Sequence, residues 1–484
     1  MLRIASLVLL AATASAQTAV DPLSYAIATP RPINPAAGST NPSALATQSL
    51  NPYLGSVPGA KLVEGEIKLT LQDAVQRGLE FNLGLIESKQ ADAAIQAERS
   101  RAFAALLPQI TARAEQSYEQ LSISSFGLRL PAQAPFRLPS TTGGFGYSEG
   151  RVALQYSAYD PALIAQYKAR RAAEAASALN TRDSRDVVVY AVGTAYFQVV
   201  ASEARLATAR AALDSAREFQ TQAVHEYEAE VAPEIDSIRA SVELRAAEQR
   251  LTDAENDVEK DKLTLDRVAG IPLEQKWSPS HEYSYAALPA DEANDKSKQN
   301  RFDLASAQQS VSAAQLDVKS AGAQRLPSVS LEASYGTGGM NLGNYSQVYS
   351  VGAAVSVPLF TGGRIRADVR EAEARLAQRQ AEARDLEGRV AYDVRVARLD
   401  AQASETAVKV ALENKALSER ALLQSEDRYT NGVTNVLEVV QAREAVASAN
   451  ENYIASLFSF NVAKVALARA LGAAETRLNT FFGE

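Results

Sequence analysis

The sequence predicts an exported α+β chain in which long coiled-coil helices continue into a membrane-embedded β-barrel that one copy alone leaves open. Three observations predict this. Two helical stretches are too long for any globule. Strand-like segments of period two occur in pairs. The whole arrangement also recurs about 200 residues later.

Residues 1–16 place a single Arg3 before the apolar run Ile4 to Ala12 and the small-residue site Ala14-Ser15-Ala16. That is the order of a secretory signal peptide cleaved before Gln17. No later run reaches the ~20 uninterrupted apolar residues of a spanning helix. With no cysteine, disulfides and lipid attachment through an N-terminal thiol are excluded. Forty-nine basic against 57 acidic residues make the chain mildly acidic, which argues against a nucleic-acid partner. Two distant histidines, His225 and His281, read as solvated side chains and offer little for a metal site. No phosphate-loop or serine-hydrolase motif occurs. No metal, cofactor or enzymatic activity is therefore expected.

Residues 17–65 carry Pro22, Pro30, Pro32, Pro35, Pro42, Pro52 and Pro58 and read as an extended or disordered segment. Residues 66–270 form a first structural repeat. Thr70 and Asp73 offer a capping-box-like start to a helix whose apolar residues Leu71, Ala74, Val75 and Leu79 recur at helical spacing. Leu107-Pro108 ends it. Ile110, Ala112 and Ala114 then alternate with Thr111, Arg113 and Glu115, and Val152 and Leu154 with Arg151 and Gln155, which predicts two amphipathic strands around a long loop. Asp160-Pro161 opens a helix that runs to Tyr227, where a short turn leads into a second helix from Pro233 to Ala269, capped by Gly270.

Residues 271–297 form a linker with Trp277, and residues 298–472 repeat the order. A helix ends at Leu326-Pro327. Val329, Leu331, Ala333 and Tyr335 mark a strand, and Gly336 to Tyr345 a loop. Tyr349, Val351, Ala353, Val355, Val357 and Leu359 share the face of a fourth strand. A helix from Gly363 to Tyr429 follows, about 100 Å long at 1.5 Å per residue. Its seam, Val390, Val394, Ala397, Ala401, Ser404, Val408 and Ala411, steps by four and three as a coiled-coil core does. A turn at Asn431-Gly432 and a final helix to Leu471 precede a tail, residues 473–484.

Four strands per chain with one apolar and one Ser/Thr/Gly/Glu face fit a transmembrane barrel with a wet lumen. Lipid tolerates no open sheet edge, so several chains must close it, and three would supply twelve strands, enough to leave a channel. The two helical turns align at one offset: Tyr227 on Tyr429, Val231 on Val433, Asp236 on Glu438. Their residues have plain structural uses. Carboxylates favour a helix N-terminus, Tyr429 can serve by packing, and Gly432 by supplying a positive φ.

From about Leu69 to Gly472 the chain resembles the TolC family of outer-membrane efflux channels. The residues that carry the resemblance are Leu107-Pro108 and Leu326-Pro327 before strands, and Val357-Pro358-Leu359-Phe360-Thr361-Gly362-Gly363 after the fourth strand. Tyr429, Gly432 and Val433 with Val436-Leu437-Glu438-Val439 complete the set. The resemblance implies a homotrimer with a 12-stranded barrel in the outer membrane and an α-helical tunnel across the periplasm. It implies a passive duct opened by a periplasmic adaptor and driven by an inner-membrane pump of the RND, ABC or MFS class, for efflux or type I secretion.

The tip turns would be the entrance. Tyr429 would hold the inner helix pair to the outer one through Asp236, with Tyr227 its counterpart, and Glu438 would form an acidic ring. Gly432 and Val433, with Glu230 and Val231 in the first turn, would meet the adaptor. Three positions depart from the family pattern: Glu230 stands for glycine, Gln441 for a second lumen carboxylate, and Thr434 for a basic residue. A periplasmic coiled-coil structural or adaptor protein without a channel is the alternative. An exported enzyme is disfavoured, since no cluster of catalytic residue types appears.

Overall fold

The computed structural model describes residues 51–57, 59, 62–122, 139, 141–280, 285, 287, 300–340, 345–476 and 482. Residues 1–16, where a signal peptide is expected, residues 17–50, and much of the expected linker and of the loops between strands lie outside this set.

Helices α1 (Leu71–Phe81) and α2 (Leu83–Ala104) form where one continuous helix is expected. The break is Asn82. Its side chain caps α2 by accepting from the Gly84 N–H at 3.0 Å, and it donates to the Tyr53 carbonyl at 2.8 Å and the Val268 carbonyl at 3.2 Å. A fully buried asparagine is stable only with such partners. The capping box at Thr70 and Asp73 is present, with reciprocal bonds at 3.0 and 3.3 Å. Within the proline-rich stretch, Pro52–Leu54 form a 3-10 turn whose Tyr53 hydroxyl meets the Ser184 hydroxyl at 3.0 Å.

The linker also contributes structure that period and composition conceal. Strand β1 (Ile67–Leu69) pairs in parallel with β4 (Trp277–Pro279), and buried Trp277 donates to the Asp266 carboxylate at 2.7 Å. Burial pushes that carboxyl up to about 7, against the Trp277 hydrogen bond and the Lys262 charge.

Helix α3 (Pro161–Glu228) is 68 residues long. Asp160 caps it, accepting from Ala162 and Leu163 at 2.9 and 3.1 Å. Helix α4 is Glu234–Ala269 and α5 Phe302–Ala323. Helix α6 (Arg364–Thr430) has 67 residues and α7 is Val436–Ala470. Helix α3 packs on α2, α4, α5 and α7, whereas α6 packs on α5 and α7. Along part of its length α3 is long and apolar enough to cross a membrane by composition, but that part is mostly buried among helices. The main core joins Val188, Val192, Tyr196 and Phe197 of α3 to Val465 and Leu467 of α7 and to Leu69, Leu265 and Trp277. Gly78 is needed here, since a Cβ would fall 2.5 Å from Val192. The predicted seam of α6 is buried at Val390, Val394, Ala397, Ala401, Val408 and Ala411.

Four antiparallel strands make one sheet in the order β2 (Gln109–Glu119), β3 (Phe145–Tyr159), β5 (Ser328–Gly339), β6 (Ser346–Ser356). Strand β5 runs through Gly336–Gly339, where a loop is expected. Gly336 sits so close to β3 that a Cβ would fall 2.3 Å from the Gly150 carbonyl, so glycine here marks close strand approach rather than a turn. Conversely, β6 stops at Ser356, leaving Val357 and Leu359 beyond it. Register puts Ile110, Leu154, Ala333 and Val351 in one row of the apolar face, and Ala112, Val152, Tyr335 and Tyr349 in the next. Within the chain, β2 and β6 each keep an unpaired edge.

Candidate functional site at the helical tips

Both helical hairpins end in the same backbone motif. In the first, the N–H groups of Ala229, Glu230 and Val231 donate to the carbonyls of His225, Tyr227 and Glu226. In the second, those of Asn431, Gly432 and Val433 donate to Asp427, Tyr429 and Arg428. All three pairs repeat at the offset seen in sequence. The pattern is a Schellman closure, which requires a left-handed residue at its fifth position. Gly432 takes φ 71° and Glu230 takes φ 62°, the one positive φ at a non-glycine residue among the described residues. A left-handed conformation costs an L side chain about 1–2 kcal/mol, so the glutamate departure leaves the motif intact but strained. Beyond the turns Val231 and Val433 are 75% and 66% exposed.

Above the turns the four helices share a small apolar cluster: Phe219 and Ala223 of α3, Ala240 of α4, and Val436 and Val439 of α7, with Leu422 and Tyr429 of α6 against it. The Tyr429 ring meets Phe219 edge-on, centroids 6.4 Å apart. Its hydroxyl donates to Glu226 Oε2 at 2.5 Å, not to Asp236 as expected. Asp236 is buried and faces Arg239 one turn on in its own helix, 3.4 Å away. Glu226 instead sits in the last turn of α3, where its longer side chain spans the gap to α6. Burial first, then the Glu226 hydrogen bond and the charges of Glu226 and Asp236, hold the Tyr429 hydroxyl well above the usual range. It therefore stays a donor at any physiological pH.

A second clamp was not legible as such. Arg443 of α7 lies 4.5 Å over the Phe219 ring, donates to the Ser215 carbonyl at 2.9 Å, and pairs with Glu426 at 2.8 Å. It thereby ties α3, α6 and α7 together. The signal was available: Arg443 follows Val436 and Val439 by seven and four residues on one buried helix face, where a charge needs partners.

Glu438 is half-buried. Asn435 caps the start of α7 by accepting the Glu438 N–H at 3.3 Å. The Glu438 carboxylate accepts from the Thr434 hydroxyl and stands 3.5 Å from Arg428. Thr434, which departs from a basic residue, thus orients this carboxylate. Tyr227 is exposed, makes no side-chain hydrogen bond among the described residues and lies outside the cluster. An open cavity of about 630 Å³ beside the first turn is lined by Arg217, Thr221, Gln222, His225, Glu226 and Val231. Among the described residues no group of His, Asp and Glu is arranged to hold a metal.

Residues 294–473 match the model of a family described as outer membrane efflux protein. Over 400 residues the chain is 24% identical to outer membrane protein TolC of Vibrio cholerae, covering 79% of this chain and 86% of that one. It is 26% identical over 311 residues to alkaline protease secretion protein AprF of Pseudomonas aeruginosa, covering 62% and 64%. Its fold matches the outer membrane protein VceC of Vibrio cholerae with TM-score 0.69, at 20% identity over 83% and 96% of the two chains. It also matches the CmeC outer membrane channel of Campylobacter jejuni with TM-score 0.72, at 17% identity over 88% and 92%. Residues 294–473 thus carry the signature of the outer membrane efflux protein family, and the chain is similar to TolC in sequence and to the CmeC channel in fold.

Proposed function

We propose that three copies of this chain close into an outer-membrane export channel, a passive duct from periplasm to cell exterior. The observation that carries the reading is a four-stranded sheet with one apolar face and unpaired edges at β2 and β6. An edge facing lipid leaves a row of backbone groups without partners, and three copies joined edge to edge remove every edge at twelve strands. Exposed apolar rows on the helices support the same closure: Tyr392, Leu399, Val410 and Leu417 on α6, and Ile235, Ile238 and Val242 on α4. A relative named for protease secretion fits an export role.

In this reading the tips are the periplasmic entrance. The Tyr429–Glu226 hydrogen bond and the Arg443 clamp hold the α6–α7 hairpin against α3, which keeps the entrance closed. A periplasmic adaptor meets the exposed Val231 and Val433, and the cavity beside the first turn puts Glu226 within its reach. An inner-membrane pump supplies the energy. Glu438 with Arg428 rings the constriction, and the three carboxylates draw cations when Arg428 turns away. The test is to purify the chain from outer membranes and add it to planar bilayers. Heat-modifiable trimers and stepwise conductance are expected, and a monomer that never conducts, even with the tip clamps removed, overturns the proposal.

A further inference from the structure

The polar face of the sheet holds an ordered charge pattern. Arg113 of β2 is the register partner of Arg151 of β3, and Glu115 is the partner of Glu149. Like charges directly opposite each other destabilise a strand pair, yet here two such pairs lie in consecutive rows. Each arginine is neutralised along its own strand. Arg113 pairs with Glu115 at 2.6 Å, and Arg151 pairs with Glu149. On β5 the same two rows are occupied by Gly336 and Gly338. Half of each row therefore bears long charged side chains and the other half bears none. The flanking residues Ala112, Ala114 and Val152 belong to the opposite, apolar face, so the charged rows lie at the depth of the lipid-facing band. Charges at that depth face water or one another.

Resting on the channel reading above, we propose that the barrel lumen carries two stacked tiers of opposite charge. An arginine tier (Arg113, Arg151) lies on the tunnel side and a glutamate tier (Glu115, Glu149) outside it, together forming a passage site for solutes that bear both an anionic and a cationic group. The tiers are two residues apart along the strands, about 7 Å. Of the ion pairs that join the tiers, Arg113–Glu115 is exposed, with Arg113 at 77%, and Arg151–Glu149 is half-buried, so the first is weak and exchanges readily for a solute's own carboxylate and ammonium. On β5 the two rows continue as glycines, closely covered by Arg151 and Tyr147 of β3.

The chain has no cysteine, so a single introduced thiol reports the local potential. Ala153→Cys lies on the polar face one row inside the arginines, Ser117→Cys one row outside the glutamates, and Ala112→Cys on the apolar face. The probes are an anionic sulfonate and a cationic trimethylammonium methanethiosulfonate, applied to the trimer in outer-membrane vesicles. Two charges about 7 Å away, screened at physiological salt, shift the ratio of anionic to cationic labelling about fivefold. At Ala153→Cys that ratio is expected to exceed the ratio in R113Q/R151Q by this factor. At Ser117→Cys it is expected to lie below the ratio in E115Q/E149Q, and 1 M salt should abolish both differences. Should the double variants fail to reach the membrane, the single R113Q and E115Q give half the effect on a logarithmic scale. Ratios unchanged by the substitutions overturn the tiers while leaving the channel standing. Labelling of Ala112→Cys with none at Ala153→Cys reverses the faces and overturns the channel reading with them.

Discussion

Tyr429→Phe removes one oxygen atom and leaves the ring edge-on against Phe219, so it isolates the hydrogen bond to Glu226. A hydrogen bond to a charged group contributes about 1.5–3 kcal/mol. Tyr429 is only half-buried, so the lower end applies. At about 1.5 kcal/mol per chain, the balance between closed and open tips shifts about tenfold toward open for each protomer. Single-channel recording in planar bilayers reads this directly, as larger or more frequent open steps. Glu226→Gln keeps an acceptor without its charge and should open the tip less than Tyr429→Phe does. Asp236→Ala alone should do little, because Asp236 is engaged with Arg239 and reaches Tyr429 only through its charge. Closed-level conductance for Tyr429→Phe, in a trimer that opens when Arg443→Met is introduced, would refute the role of the tyrosine and leave the arginine clamp as the gate.

Three further outcomes are expected. Glu230→Gly relieves a left-handed glutamate at about 1–2 kcal/mol against a glycine entropy term of about 0.5–1 kcal/mol. The Val231 and Ala232 amides should then exchange hydrogen several-fold more slowly, and faster exchange would contradict the strain. Asp266 has its folded-state pKa raised by burial to about 7, against about 3.9 unfolded. Its contribution is therefore full below pH 4 and is lost as pH rises through 7, a change on the order of 2–4 kcal/mol. Asp266→Asn should flatten the fall in melting temperature between pH 5 and 8 relative to the parent chain, in which Asp186, raised by burial to about 6, contributes a slope of the same sign; an unaltered slope would remove Asp266 as a source. Glu438→Gln should weaken block by multivalent cations added on the tip side, and equal block would exclude the carboxylate ring.

Much of this was legible because it is periodic. Strand alternation from Ile110 to Glu115 and from Val329 to Tyr335, the Ala/Val seam of α6, and the breaks at Pro108 and Pro327 follow from local rules that hold whatever the neighbours. The matched tip turns were equally visible, since a Schellman closure is written in six consecutive residues. Asn82 was missed because its partners, Tyr53 and Val268, are remote in sequence, and nothing local marks a helix break where a buried amide gains three bonds. The glycines of β5 read as a loop because composition does not reveal that Gly150 approaches Gly336.

The amino-acid sequence by itself determined the long helices and the four amphipathic strands, the order in which they recur, the apolar and polar faces of those strands and the position of the tips. Those properties depend on backbone propensity and spacing along the chain. Only the tertiary structure decided which carboxylate meets Tyr429, that Arg443 rather than a second tyrosine forms the other clamp, and that arginines and glutamates of β2 and β3 stand in like-charged rows. Each of these is a pairing between distant segments. It is set by the register and reach of side chains across packed elements, which no local pattern encodes.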